Sequence, residues 1–132
     1  TQFRGNNRFQ VVVSGSRAKT ILAMNNKKKP FDDVRVRRAV NMAIDRKAVI
    51  QGAGDGYGVP IGSHFAPHHA AYVDLTNRYP HDPARAKQLL SEAGFANGLT
   101  LSLKLPPPPY ARKSGEIVAA QLARVARRSL LQ

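Results

Sequence analysis

Residues 82–105, DPARAKQLLSEAGFANGLTLSLKL, hold a helix and a strand in one short span. Asp82 stands at an N-cap, where its carboxylate can accept hydrogen bonds from the free amides of a first helical turn. Pro83 takes the first helical position, where its fixed φ suits the turn and its missing N–H costs nothing. Ala86, Leu89, Leu90 and Ala93 recur at helical spacing as one apolar stripe. Gly94, just past Ala93, can take the left-handed conformation that ends a helix, and Phe95 falls where a Schellman cap sets an apolar residue against Leu90. Leu99, Leu101, Leu103 and Leu105 then alternate with Thr100, Ser102 and Lys104, the period of a half-buried strand, and four prolines at 106–109 stop it. The helix and strand together predict an α/β layer with a short sheet and packed helices.

Working outward, Asp32 and Asp33 open a second helical pattern in which Val36, Ala39, Val40 and Ala43 share a face while Arg35, Arg38 and Asn41 look elsewhere. Asp45 starts another helical segment over residues 46–50, which Gly52 can close. Residues 9–13 and 20–24 read as short strands, the second apolar on both faces as in a strand covered on both sides of a sheet. Downstream, Ser114 can cap a last helix carrying Val118, Leu122 and Val125 at helical spacing. Residues 52–80 keep no period, and their glycines, prolines and histidines predict a long ordered loop of the kind that often carries function.

The chain has 132 residues, enough for one core that buries roughly two-thirds of the unfolded surface. Its outlying property is charge: 21 Lys and Arg against 8 Asp and Glu give +13, a field that attracts acidic partners. No cysteine is present, which removes disulfides and thiolate chemistry and leaves the compartment open. No apolar run approaches the ~20 residues a bilayer span needs, and no signal-peptide pattern follows Thr1, so an export signal would lie upstream.

Four chemistries can be weighed. His64 and His68 are four apart and imidazole binds zinc, copper or nickel, but without helical patterning that spacing fixes no geometry; histidines meeting solvent or carbonyls are the simpler reading, and no metal or cofactor is expected. Gly52, Gly54, Gly56 and Gly58 follow a helix, lack G-x-G-x-x-G spacing, and read as a turn in preference to a phosphate loop. Catalysis needs nucleophile, base and orienter together. Asp33, Asp45 and Asp82 are already explained as helix starts and Ser63-His64 is mere adjacency, so an enzyme is not expected. The alternative function is a basic nucleic-acid-binding module, since Lys27-Lys28-Lys29, Arg35-Arg37-Arg38 and Arg124-Arg127-Arg128 could release counterions without any motif. Aromatics are not interleaved with those clusters, so a solvated basic face and weak, unselective DNA binding are expected, with no specific nucleic acid as partner.

A family resemblance rests on several separated motifs in order: residues 20–26 (Thr-Ile-Leu-Ala-Met-Asn-Asn), residues 30–39 (Pro-Phe-Asp-Asp-Val-Arg-Val-Arg-Arg-Ala), Ala43-Ile44-Asp45-Arg46, Tyr79-Pro80, Asp82-Pro83, Leu89-Leu90, Glu92-Ala93-Gly94, and residues 116–122. The chain is similar over residues 20–125 to family 5 solute-binding proteins, the peptide/nickel group of ABC importers. The resemblance implies a partial lobe of a periplasmic-binding-protein-like (type II) fold. Residues 1–132 would form a single partial domain, the middle of one lobe of a two-lobed protein, with 1–19 and 126–132 as poorly matching ends. It further implies solute binding, a peptide or similar small solute as ligand, ABC permease subunits and the remaining lobe as partners, and a place in the periplasm or extracytoplasmic cell envelope. Relatives carry peptides, nickel, haem and opines. After Val125 the family continues through a Gly-Ile turn into a strand, whereas this chain reads Ala126-Arg127-Arg128, which predicts an incomplete sheet there. If the long loop lies at the mouth of the cleft, Tyr57, His64, Phe65 and Tyr110 are the first candidates for solute contact. Arg112 is the nearest basic residue to the proline loop, where some relatives place a basic ligand contact.

Overall fold

The computed structural model describes the backbone of residues 2–131 and the side chains of residues 2–126. Along it run α1 (Val34–Ala43), α2 (Arg46–Gly54), α3 (Pro83–Leu90), β1 (Leu99–Leu103), α4 (Pro109–Ala126) and β2 (Arg127–Leu131). Aspartates open the first three helices as their sequence positions require. Asp33 accepts from the Arg35 amide at 2.8 Å, Asp45 from Ala48 at 3.0 Å and Asp82 from Arg85 at 2.9 Å. Each satisfies a donor that a helix start leaves free.

The core is the meeting of the apolar stripes. Val36, Ala39, Val40 and Ala43 of α1 and Ala86, Leu89 and Leu90 of α3 are all buried, and Leu101 of β1 with Val118, Leu122 and Ala126 of α4 completes the cluster. Alanines at Ala39, Ala43 and Ala86, each 1% exposed or less, let α1 and α3 approach closely. A backbone hydrogen bond from Asp82 N–H to the Met42 carbonyl, 2.8 Å, fixes the end of α1 against the start of α3. Gln121 is the one buried polar side chain among the described residues. Its Oε1 accepts from the Asp45 amide at 3.1 Å and its Nε2 donates to the Asp45 carbonyl at 3.4 Å, so it satisfies itself while tying the α1–α2 junction to α4.

β1 pairs in parallel with β2, Leu99 opposite Arg127 through Leu103 opposite Leu131. Parallel neighbours need a crossover, and α4 supplies it. The incomplete sheet expected after Val125 is thus corrected: a strand follows Ala126 directly, without the Gly-Ile turn. The side chains of Arg127 and Arg128, expected to extend the third basic cluster, lie outside the described residues.

Other departures have local causes. Residues 9–13 and 20–24 are not strands: among the described residues no strand pairs with them. Leu22 and Met24 pack on the core while Ile21 stays 55% exposed, so the second segment is covered on one side only. Gly52 does not end α2; a Cβ there would sit 2.6 Å from Ile117 Cδ1, so this glycine serves packing on α4, and Asp55 in the left-handed region (φ 50°) closes the helix. α3 ends at Leu90 and a wider turn, Ser91–Phe95, carries the chain to left-handed Gly94 (φ 92°). β1 stops at Leu103, since Leu105 turns beneath Gly115 of α4, where a Cβ would collide with it. α4 begins at Pro109, not at a Ser114 cap: the last proline takes the first helical position, and the Ser114 hydroxyl donates instead to the Tyr110 carbonyl at 2.7 Å.

Replacing Leu89 with Ala is expected to cost about 2–5 kcal/mol, the range for truncating a buried leucine. Urea unfolding followed by circular dichroism measures it, and a loss below about 0.5 kcal/mol, typical of a surface change, would show that the α3 stripe is not core.

Candidate functional site

The long loop after α2 is ordered by a short-range polar network. The Gly62 amide donates to the Tyr72 hydroxyl at 3.3 Å and the Val73 amide to Ser63 Oγ at 3.1 Å. Asp74 Oδ1 accepts from the Thr76 amide at 3.0 Å and the Thr76 hydroxyl at 2.7 Å, and these bonds hold its carboxyl below the ordinary value of 3.8. Gly62 lies directly on the backbone of Leu75 and Thr76, so close that a Cβ would overlap it. Residues 62–63 and 72–76 thereby form a neck that holds residues 64–71 as a tip.

At that tip Phe65 carries rings on two sides. His69 stacks on it, centroids 4.5 Å apart and planes 12° apart, and His64 meets it edge-on at 5.4 Å. Lys19 Nζ lies 5.9 Å from the Phe65 centroid. Phe65 remains 37% exposed, and the next residue, Ala66, is buried. His69 Nδ1 accepts from the Ala71 amide at 3.1 Å. The result is an amphipathic surface platform of aromatic, imidazole and ammonium groups.

The sequence candidates are only partly brought together. His64 and Phe65 are in contact. Tyr57 follows α2, 45% exposed, and its ring is met by the Arg4 guanidinium at 5.4 Å. Tyr110 and Arg112 lie in the first turn of α4, both exposed, with no ring or ion contact to the loop platform among the described residues. His69, Lys19 and the Tyr72–Asp74–Thr76 brace were not singled out from sequence. Asp74 two before Thr76 is a local turn signal that could have shown the brace, whereas Lys19 approaches Phe65 only in the folded chain. A separate cavity of about 380 Å3, lined by Lys29, Pro30, Asp32, Asp33, Ala93 and Phe95, contains none of the candidates. Among the described residues no three His, Cys, Asp or Glu side chains converge to hold a metal.

Of the basic clusters, Arg35-Arg37-Arg38 differs from a freely solvated face, whereas Lys27, Lys28 and Lys29 are exposed. Arg35 chelates Asp33, 2.6 Å at the shortest, and donates to the Glu92 carbonyl at 2.6 Å; the ion pair holds Asp33 below and Arg35 above their ordinary values. Arg37 donates to the Phe31 carbonyl at 2.6 Å. Arg38 lies over Tyr79 and, with Arg78, holds its phenol below the ordinary tyrosine value. Arg35 and Arg37 brace the start of α1 and its entry turn, and Arg38 reaches the loop before α3.

Helices packed on a short parallel sheet, with an ordered loop beside them, make an α/β layer of the kind expected from the sequence. Residues 1–126 match the family model described as "Bacterial extracellular solute-binding proteins, family 5 Middle", and the chain belongs to that family. It is 37% identical over 109 residues to heme-binding protein A of Haemophilus influenzae, covering 79% of this chain and 20% of that protein. It is 36% identical over 103 residues to the glutathione-binding protein GsiB of Escherichia coli, covering 78% and 20%. Among solved structures it resembles the binding protein AgaA of A. tumefaciens in complex with agropinic acid (TM-score 0.71, 30% identity, 82% of this chain and 22% of that one). It also resembles the ABC-transporter-associated periplasmic binding protein DppA of Helicobacter pylori in complex with the peptide STSA (TM-score 0.68, 25% identity, 83% and 21%). The chain spans about a fifth of the length of the curated relatives it matches, so its fold is a partial lobe of a periplasmic binding protein.

Gly62→Ala is expected to destabilise the neck by about 1–3 kcal/mol, the usual cost of overpacking against backbone that cannot yield. Gly54→Ala, with open space around the added Cβ at the end of α2, should be neutral or stabilising by up to about 1 kcal/mol. Limited proteolysis should cut Gly62→Ala first within residues 62–76; equal resistance of the two variants would contradict the close approach. Because the Asp74 carboxyl is depressed in the folded chain, its contribution is complete above its ordinary value and is lost as pH falls through the folded one. Protection factors of the neck amides should therefore begin to fall below about pH 3.8 in the native chain, and an Asp74→Asn variant should lack that acid-dependent loss.

Proposed function

We propose that the chain is part of the substrate-binding component of an ABC importer. It captures a peptide or similar small solute in the periplasm or extracytoplasmic envelope and presents it to membrane permease subunits, binding its ligand without transforming it. The observation that carries this reading is the family match across residues 1–126. The reported relatives, named for haem, glutathione, agropinic acid and a peptide, support a solute-capturing role with the solute class varying among members. The chain is the middle of one lobe, and the remaining lobe closes over the ligand. Within it the exposed aromatic groups Tyr57, Phe65 and Tyr110, with His64 and Arg112, are the solute contacts. A net charge of +13 favours ligands with free carboxylates.

A single wall leaves much of a small ligand in water, and small ligands keep affinity only when most of their surface is enclosed. Isotope-labelled chain titrated with a di- to pentapeptide pool should show amide shifts at Tyr57, His64 and Phe65 that saturate only in the millimolar range, about −4 kcal/mol. Absence of loop shifts at about 10 mM peptide would remove the loop from the solute site. Saturable micromolar binding would show that this portion holds a complete pocket.

A further inference from the structure

At the loop tip one side chain has its hydrogen-bonding pattern fixed by the main chain. His69 Nδ1 accepts from the Ala71 amide at 3.1 Å, and a ring nitrogen that accepts carries no proton. The imidazole is therefore held neutral with its single proton on Nε2, across the ring from that bond. Its plane is fixed as well. It stacks on Phe65 with centroids 4.5 Å apart and planes 12° apart. The His69 amide donates to the Ala66 carbonyl and the Tyr72 amide to the His69 carbonyl, both at 2.9 Å, and these bonds hold the turn that carries the ring. All of these partners lie within residues 65–72, so the loop itself sets the arrangement.

The outcome is one directed donor, Nε2–H, in a plane nearly parallel to an aromatic ring. Charge decides what accepts from it. No Asp or Glu occurs between Asp55 and Asp74, and Asp74 is engaged by Thr76. Lys19 Nζ lies 5.9 Å from the Phe65 centroid, which adds a positive charge beside the stack. An anionic acceptor is favoured there over a neutral one, and a charge-assisted bond is the stronger kind.

We propose that His69 is the polar anchor of the solute platform: its Nε2–H donates to a carboxylate of the bound solute, while Phe65 lies against the solute's apolar part. The solute class is then an acid that carries an apolar group, such as the free C-terminus of a peptide. This deepens the reading of the loop tip as a solute wall and rests on it. Shaping the loop needs only Nδ1, so a role for Nε2 separates solute contact from local structure.

The test uses the isotope-labelled chain, the dipeptide alanyl-phenylalanine and its C-terminal amide. In mildly alkaline buffer the imidazole nitrogen spectrum should place the proton on Nε2, and the acid should shift Nε2 more than Nδ1 while it shifts the Phe65 amide. Asn at this position keeps an acceptor for the Ala71 amide, as an Asx turn, but has no group at the place of Nε2, whereas Gln reaches that place with an N–H donor. His69→Asn should therefore leave the Ala71 amide signal near its native position and weaken the acid about tenfold, the worth of one hydrogen bond to a charged group, with little change for the amide. His69→Gln should retain the preference for the acid. A proton found on Nδ1, native affinity for the acid in His69→Asn, or an equal loss for acid and amide would overturn the proposal while Phe65 still responds to the solute. If neither dipeptide shifts Phe65 or His69, the loop tip is not a solute wall and both readings fall together.

Discussion

Everything else in this chain rests on the contact between α1 and α3. Two short helices of ten and eight residues are too short to persist alone in water, and they hold because each buries a full apolar face against the other. Small side chains at Ala39, Ala43 and Ala86 set the spacing, and Val36, Val40, Leu89 and Leu90 fill it. The Asp82–Met42 backbone bond fixes where along α1 the second helix begins. β1 and α4 pack on the platform thus made, and Gln121 carries the alignment on to α2. The long loop leaves from α2 and returns at α3, so its two ends are placed by the same contact.

That dependence explains the character of the proposed binding surface. The loop tip is exposed, yet its base is braced by Gly62, Tyr72, Asp74 and Thr76, so its rings are presented in one arrangement. A rigid platform loses less entropy when a solute settles on it than a floppy loop would. The remainder of the pocket belongs to the opposing lobe in the proposed reading, which suits a family whose curated relatives are about four times as long as this chain.

Much of the fold was legible in sequence because its signals are local. Asp33, Asp45 and Asp82 cap helices through bonds to amides two or three residues away, and the apolar stripes need only helical periodicity. What failed was non-local. Residues 9–13 have strand composition, but a strand exists only when a neighbour pairs with it. Gly52 resembled a terminator but instead makes room for Ile117. Pro109 begins α4 because a proline that ends one element can open the next, and the run at 106–109 does not reveal which proline does so. Of the candidate solute contacts, aromatic type and loop position pointed to His64 and Phe65. The contacts of His69 and Lys19 with Phe65 depend on how the loop folds against the segment before α1, and Tyr110 and Arg112 lie apart from the platform.

Native-state hydrogen exchange, resolved by residue, tests the central dependence most directly. If the α1–α3 contact governs the structure, amides of α1, α3, β1 and α4 exchange through one shared global opening, with the same free energy and the same denaturant dependence. If α1 or α3 opened alone, at markedly lower free energy and with β1 and α4 still protected, the contact would be peripheral and the account of this fold would be wrong.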